Sequence, residues 1–231
     1  GKDFAMLDDL LMTPPKPSAE KPLSGMTVLV VEDSRFASEA LRLLCVQSGA
    51  RVRRADCLHS ARRHLRVYRP SVVIVDMTLP DGSGEDLLRE LDGASPRVPV
   101  LMGFSGDPDC EARARAAGAD GFLAKPIEGV GAFQIAILNA LPLQDRPGGL
   151  RMVPSEAVHP DPANLTEDLL NACDLLGSAA DARDYDYLVQ FLHGLALSAH
   201  DGELTAMVAA IREDRIEEVE ALLKKRLGLI A

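Results

Sequence analysis

The chain has 231 residues, 47% of them hydrophobic, with 25 Lys+Arg against 35 Asp+Glu, which is enough to bury one medium core and a second, smaller one. No apolar stretch reaches the roughly 18 residues needed to cross a bilayer, and the N-terminus lacks the charged-then-apolar order of a secretion signal. Cys45, Cys57, Cys110 and Cys173 show no C-x-x-C spacing, which speaks against a zinc site or disulfide framework. The expectation is a soluble cytoplasmic protein with no membrane partner, its thiols suited to a reducing compartment.

In chain order, residues 1–25 read as a leader or linker, because Pro14-Pro15-Lys16-Pro17-Ser18-Ala19-Glu20-Lys21-Pro22 favours extended, solvated chain. Phe4, Leu7, Leu10 and Leu11 ahead of it fall at helical spacing, as a docking helix or a frayed terminus. From residue 27 the pattern alternates. A strand at 27–31 precedes a helix at 34–48, whose apolar face is Phe36, Ala40, Leu43, Leu44 and Val46 and whose end is Gly49. Four more pairs follow: strand 51–55 with helix 58–68, strand 71–75 with helix 84–92, strand 98–102 with helix 109–117, and strand 120–124 with helix 129–140. Residues 77–84 read as a turn that cannot continue a strand. Strands separated by single helices imply parallel pairing with right-handed crossovers.

Residues 142–163, with Pro142, Pro147, Gly148, Gly149, Pro154, Pro160 and Pro162, read as a linker. Beyond it, residues 164–231 carry four helical stripes, among them Leu165-Leu169-Leu176, Leu188-Phe191-Leu195, Leu204-Val208-Ile211 and Ile216-Val219-Leu223. Asn164 with Glu167 and Asp214 with Glu217 resemble capping boxes, and Gly228 stands past the last helix. This predicts a small all-α domain.

Three apolar runs end in charge: Val28-Leu29-Val30-Val31 in Glu32-Asp33, Val72-Val73-Ile74-Val75 in Asp76, and Gly121-Phe122-Leu123-Ala124 in Lys125-Pro126. At the carboxyl edge of an open α/β sheet such charges stand where ligands bind. This set, in this order, resembles the receiver domain of two-component response regulators over residues 26–141. The resemblance implies a flavodoxin-like (βα)5 fold with a five-stranded parallel sheet in the order 2-1-3-4-5. It also implies that Asp76 is the phosphoacceptor.

A phosphoryl group needs in-line attack and neutralised oxygens. Asp76 can attack as a nucleophile and form an acyl phosphate. Three converging carboxylates would repel one another without a cation, and Mg²⁺ accepts one or two carboxylates beside phosphate oxygens. Asp33 and Asp76 are therefore expected as direct ligands, with Glu32 through water and, by resemblance, the Thr78 backbone carbonyl. Lys125 would pair with a phosphoryl oxygen, and by resemblance its bond to Pro126 is cis. Two other phosphate-handling readings fail on specifics. A haloacid-dehalogenase-type phosphatase wants an Asp where Thr78 stands, and a Rossmann dehydrogenase wants G-x-G-x-x-G after the first strand.

The family's switch hydroxyl lands on Gly103 by ungapped counting, and Ser105 is the nearest hydroxyl: either the following helix is two residues shorter and Ser105 serves, or the hydroxyl is absent. Phe122 matches the aromatic switch position, and packing would be its readout. Arg51, Arg53, Arg54, Arg62, Arg63, Arg66 and Arg69 form a basic cluster, read as a solvated face or as a surface for an acidic partner such as the chain's own tail. His193-Gly194-Leu195-Ala196-Leu197-Ser198 resembles a histidine-phosphotransfer motif at three positions, with the motif's lysine and glycine replaced, and His200-Asp201 faintly resembles a kinase dimerisation helix.

Charge divides unevenly: residues 1–149 hold 18 Lys+Arg against 20 Asp+Glu, and residues 150–231 hold 7 against 15. An acidic tail disfavours DNA binding. The expected protein is a response regulator phosphorylated by a sensor histidine kinase or phosphotransfer protein, whose signal passes from the face of the fourth helix, fifth strand and fifth helix into association through the tail, as a homodimer or with a partner. Enzymatic activity would be limited to self-catalysed phosphoryl transfer and autodephosphorylation. A phosphorelay intermediate and a non-phosphorylated scaffold are the alternatives.

Overall fold

A computed structural model describes residues 14–148 and 151–230; the Phe4–Leu11 pattern lies outside them. The predicted parallel sheet is present, built from β1 (Thr27–Val31), β2 (Arg51–Ala55), β3 (Val72–Asp76), β4 (Val100–Ser105) and β5 (Gly121–Ala124) in the order β2-β1-β3-β4-β5. Helices α1 (Arg35–Gln47), α2 (Leu58–Val67), α3 (Gly84–Asp92), α4 (Cys110–Ala116) and α5 (Val130–Ala140) follow the strands.

β1, β3 and β4 are apolar almost without interruption because both of their faces are covered. Alternate residues enter different layers. Val28, Val30, Val72 and Ile74 pack with α1 and α5 around Leu41, Leu44, Phe133 and Ile137, whereas Leu29, Val31, Val73 and Val75 pack with α2, α3 and α4 around Ala61, Leu87, Leu88 and Ala114. The register then brings the carboxyl ends level, pairing Val31 with Val75, Asp76 with Phe104 and Ser105 with Ala124.

Several elements differ from the pattern-based expectation. β4 starts at Val100 and runs to Ser105, where a strand over 98–102 is predicted; the Lys125 N–H donates to the Ser105 carbonyl at 2.9 Å, so pairing with β5 extends the strand. The predicted turn after Asp76 contains a short hairpin, Thr78–Leu79 against Gly82–Ser83, which turns the chain so that Ser83 caps α3. Residues 14–21 are exposed, but Pro22–Ser24 are buried, and Leu23 is held in the core by a backbone bond to Ser48 at 2.9 Å.

The tail folds into α6 (Pro162–Ser178), α7 (Ala182–Ser198), α8 (Gly202–Arg212) and α9 (Ile216–Arg226) around Leu169, Leu188, Leu192, Leu204 and Leu223. Neither predicted capping box forms. Pro162 at the first position starts α6 early with Asp161 as its cap, which leaves Asn164 inside the first turn. Asp214 sits at φ +62 closing α8, so it cannot also cap α9. The box that does form joins Asp181 and Asp184 at α7.

α6 and α7 rest on α1, α7 also meets the Thr78–Leu79 strand, and Phe36 of α1 packs into the tail's own core. Among the described residues, the arginine cluster makes no ion pair with the tail. Arg54 pairs with Glu39 and Arg62 with Glu90, and among the described residues the one ion pair joining the sheet-bearing half to the tail is Arg35–Glu167. No described helix is long and apolar enough to cross a membrane.

Candidate phosphoryl-acceptor site and its helical cover

Four strand ends deliver the predicted residues to one point. Glu32 and Asp33 follow β1, Asp76 ends β3, Ser105 ends β4 and Lys125 follows β5. Glu32, Asp76, Ser105 and Lys125 are buried. The Lys125 Nζ donates to Asp76 Oδ2 at 2.5 Å and lies 2.9 Å from Glu32 Oε2, while standing 4.6 Å over the Phe104 ring. Asp76 Oδ1 accepts the Thr78 N–H at 2.8 Å, and Glu32 Oε1 accepts the Ser34 N–H at 2.9 Å. The Lys125–Pro126 peptide is cis.

One ammonium faces three carboxylates, and the imbalance shows in their proton affinities. Burial, then the neighbouring Asp76, pushes the Glu32 pKa well above the usual carboxylate range. The same two causes raise Asp33 to about 6, against a smaller opposing effect from a tyrosine hydroxyl. Burial alone would depress Lys125, but Asp76 and Glu32 outweigh it and hold the ammonium firmly charged. Carboxylate oxygens of Glu32, Asp33 and Asp76 all lie within 4.8 Å of one another. Glu32 Oε2 faces the ammonium yet accepts no hydrogen bond from any described residue. Three clustered carboxylates whose charge one ammonium only partly balances are the donor set a hard divalent cation fits.

Ser105 lines the same cavity, and its hydroxyl accepts the Asp107 N–H at 3.1 Å. Gly103, two residues earlier, has no room for a side chain, since a Cβ there would stand 2.6 Å from the Ala114 Cβ and 3.0 Å from the Phe122 ring. Phe122 is therefore a half-buried packing residue behind the cavity and does not line it.

The roof comes from the tail. Asp168 of α6, fully buried, reaches the N-terminus of α1, where it accepts the Ser34 hydroxyl at 2.7 Å, the Arg35 N–H at 2.8 Å and the Phe36 N–H at 3.0 Å. Burial raises its pKa while these donors oppose the rise. The Tyr187 hydroxyl of α7 donates to Asp33 Oδ2. Gly194 brings the α7 backbone over Lys125, so that a Cβ there would lie 3.1 Å from Nζ. On the opposite wall, a Cβ on Gly106 would lie 2.4 Å from Leu197 Cδ1 and 3.7 Å from His193 Nε2. What remains is a cavity of about 20 Å³ bounded by Asp76, Ser105, Lys125, Gln190, His193 and Gly194 among others. That is room for roughly one water. His200, the other tail histidine considered, is exposed beyond the end of α7 and does not line the cavity.

Sequence reasoning missed Asp168, Tyr187 and Gly194. Asp168 is an acid on the apolar stripe of α6, three residues after Leu165 and four before Ala172. Gly194 is an isolated glycine inside a helix, which costs roughly 1 kcal/mol against alanine and so flags a close approach.

A model of the family described as the response regulator receiver domain matches residues 28–133. The KDP operon transcriptional regulatory protein KdpE of Escherichia coli is 32% identical over 114 residues, which cover 49% of this chain and 50% of that protein. The sensor histidine kinase AruS of Pseudomonas aeruginosa is 29% identical over 217 residues, covering 87% of this chain and 21% of AruS. The chain thus spans about half, or much less, of the length of these relatives. A solved signal receiver domain of a signal transduction histidine kinase from Syntrophus aciditrophicus is 30% identical with a TM-score of 0.40, over 44% of this chain and 79% of that one.

Proposed function

Because residues 28–133 are a response regulator receiver domain, we propose that Asp76 accepts a phosphoryl group from a phosphohistidine on a sensor kinase or phosphotransfer protein, and that the helical tail carries the response. The chain then divides into a leader, a receiver whose core reaches back past the expected 26–141 to take in Pro22–Ser24, a linker, and a helical domain that starts at Pro162, ahead of the expected 164–231. The observation that carries the reading is the convergence of Glu32, Asp33, Asp76 and Lys125 at one sheet edge.

In the transfer, a carboxylate oxygen of Asp76 attacks phosphorus, an O–P bond forms, the donor's N–P bond breaks and imidazole leaves. Lys125, already paired with Asp76, gains a phosphoryl oxygen as partner without moving far. The Ser105 hydroxyl stands on the same cavity, able to follow the phosphoryl group. Asp33 and Asp76, with Glu32 through water and the Thr78 carbonyl, would hold Mg²⁺, which when bound neutralises charge on the phosphoryl oxygens. The chemistry is self-catalysed transfer and hydrolysis at the chain's own carboxylate.

A cavity with room for one water does not admit a donor, so α7 has to lift for Asp76 to be reached. Lifting uncovers the α1 surface around Phe36 and the apolar face of the tail that meets it, a surface for a partner or a second copy. A tail with 7 Lys+Arg against 15 Asp+Glu is suited to protein rather than duplex DNA, and the whole to the cytoplasm.

The test is intact-mass labelling with acetyl phosphate and Mg²⁺. Wild type gains one phosphoryl group, Asp76→Asn gains none while keeping its fold, and chelation suppresses the gain. Equal labelling of wild type and Asp76→Asn would remove the assignment. The isolated segment 150–231 is expected to show no salt-dependent duplex binding, and sequence-selective binding at physiological salt would overturn that part. A change of oligomeric state with beryllofluoride is the sign of self-association.

A further inference from the structure

We propose that His193 is a second phosphoryl site, which exchanges the group with Asp76 inside the same chain. The inference rests on the Asp76 reading above and adds a modification site in the tail, together with a use for the closed arrangement of α7.

Three observations carry it. His193 lines the same cavity as Asp76 and Lys125, although it is 117 residues from the one and 68 from the other in sequence. Neither of its ring nitrogens hydrogen-bonds to any described residue, whereas Tyr187 on the same helix is engaged with Asp33. The ring is half-buried and packs at the end of β4, where a Cβ on Gly106 would stand 3.6 Å from the imidazole, an ordinary contact distance. Around it, Gly106 makes room for Leu197 and Gly194 lets the α7 backbone close on Lys125, which seats the helix that carries the ring over the cavity.

The cavity size turns this juxtaposition into chemistry. A phosphoryl group on Asp76 is larger than the single water for which there is room. When α7 settles back over a phosphorylated Asp76, the group fills the space and meets its lining, which includes the His193 ring. In the exchange, the lone pair of a neutral His193 Nε2 attacks phosphorus, an N–P bond forms and the acyl O–P bond to Asp76 breaks. Asp76 leaves as the free carboxylate and the ring keeps its proton on Nδ1, so no further reactant is required. Lys125 touches Asp76 on one side and approaches Gly194 on the other, so it can stay with the phosphoryl oxygens throughout. The replaced lysine and glycine of the tail motif, Ala196 and Leu197, leave the histidine itself in place.

The two bonds differ in stability: an acyl phosphate is cleaved by hydroxylamine and alkali, whereas phosphohistidine survives alkali and is lost in acid. The full chain is incubated with acetyl phosphate and Mg²⁺ and assayed for both. Wild type is expected to carry an alkali-stable fraction that fragment-ion mapping places on His193. That fraction falls to background in His193→Gln and in Asp76→Asn, and is unchanged in His200→Gln. Phosphoramidate, a small nitrogen–phosphorus donor, is expected to label His193 directly even in Asp76→Asn, which separates a missing acceptor from a missing route. Label that is wholly alkali-labile, or alkali-stable label that maps elsewhere or survives His193→Gln, would overturn the proposal and leave α7 as a cover only. Absence of both kinds of label instead removes the Asp76 reading, and this route with it.

Discussion

The floor and the roof of the Asp76 cavity are made of different materials. The floor is charge: three carboxylates and one ammonium on the ends of buried strands, fixed by a sheet whose core is closed on both faces. The roof is a phenol, an imidazole and a bare stretch of helix backbone, held down by one buried carboxylate on the end of α1. Groups that must balance charge out of water need rigid positions, because an ångström of slack costs about 1 kcal/mol for each close pair and the three acids share one ammonium. The roof is held by a few hydrogen bonds to single carboxylates, about 1.5–3 kcal/mol each, and by apolar contacts, which can be released one at a time. The difference suits a site whose floor does chemistry and whose cover has to come off.

The sharpest way to break this comparison is Lys125→Ala, which leaves Asp76 and Glu32 facing each other without their cation. Loss of one partner from a buried ion group costs about 3–5 kcal/mol, so urea unfolding of the receiver part should shift to markedly lower denaturant. Added Mg²⁺ should restore part of the loss. An unchanged midpoint would mean the floor is not held by charge.

Asp168→Ala is the corresponding test of the roof. It strips three donors at the α1 N-terminus of a charged acceptor, an effect of about 2–3 kcal/mol. Here the expected outcome is faster hydrogen exchange in α6 and α7 and easier proteolysis in the linker, with the sheet amides left protected. Exchange that quickens equally in the sheet would show that floor and roof unfold as one.

Smaller in effect is Tyr187→Phe, which frees Asp33 from its phenol. With a hydrogen bond to a charged group worth about 1.5 kcal/mol, labelling by acetyl phosphate should quicken by about tenfold, and Mg²⁺ should bind more tightly by isothermal titration. A slower rate would argue that Tyr187 assists the chemistry and does not compete with it. The smallest effect is expected from Ser105→Ala: nearly unaltered Mg²⁺ affinity, but weaker chemical-shift changes in β4 and β5 on adding beryllofluoride. Shifts matching wild type would make Ser105 a spectator.

Legibility follows the same division. Each floor residue stands at the end of an apolar strand run, Glu32 and Asp33 sharing the first, so strand periodicity and parallel pairing together place Glu32, Asp33, Asp76 and Lys125 at one edge. Ser105 was harder, since β4 extends past the predicted 98–102 only because β5 pairs with it as far as Ala124. In the tail, the helices were visible as stripes, but the caps were misassigned because Pro162 and the left-handed Asp214 moved the helix starts.

The sequence by itself determined five βα units, four tail helices and a set of charges at strand ends, because hydrophobic period and turn residues act over a few positions. Only the tertiary structure decided that α6 and α7 close over Asp76. That closure rests on Asp168 and Ser34 meeting across 134 residues, Tyr187 and Asp33 across 154, and on two glycines whose value lies in the side chains they lack. Local pattern carries no information about such pairs. They are selected by which surfaces remain apolar, and which helix end still lacks acceptors, once the sheet and its helices have folded.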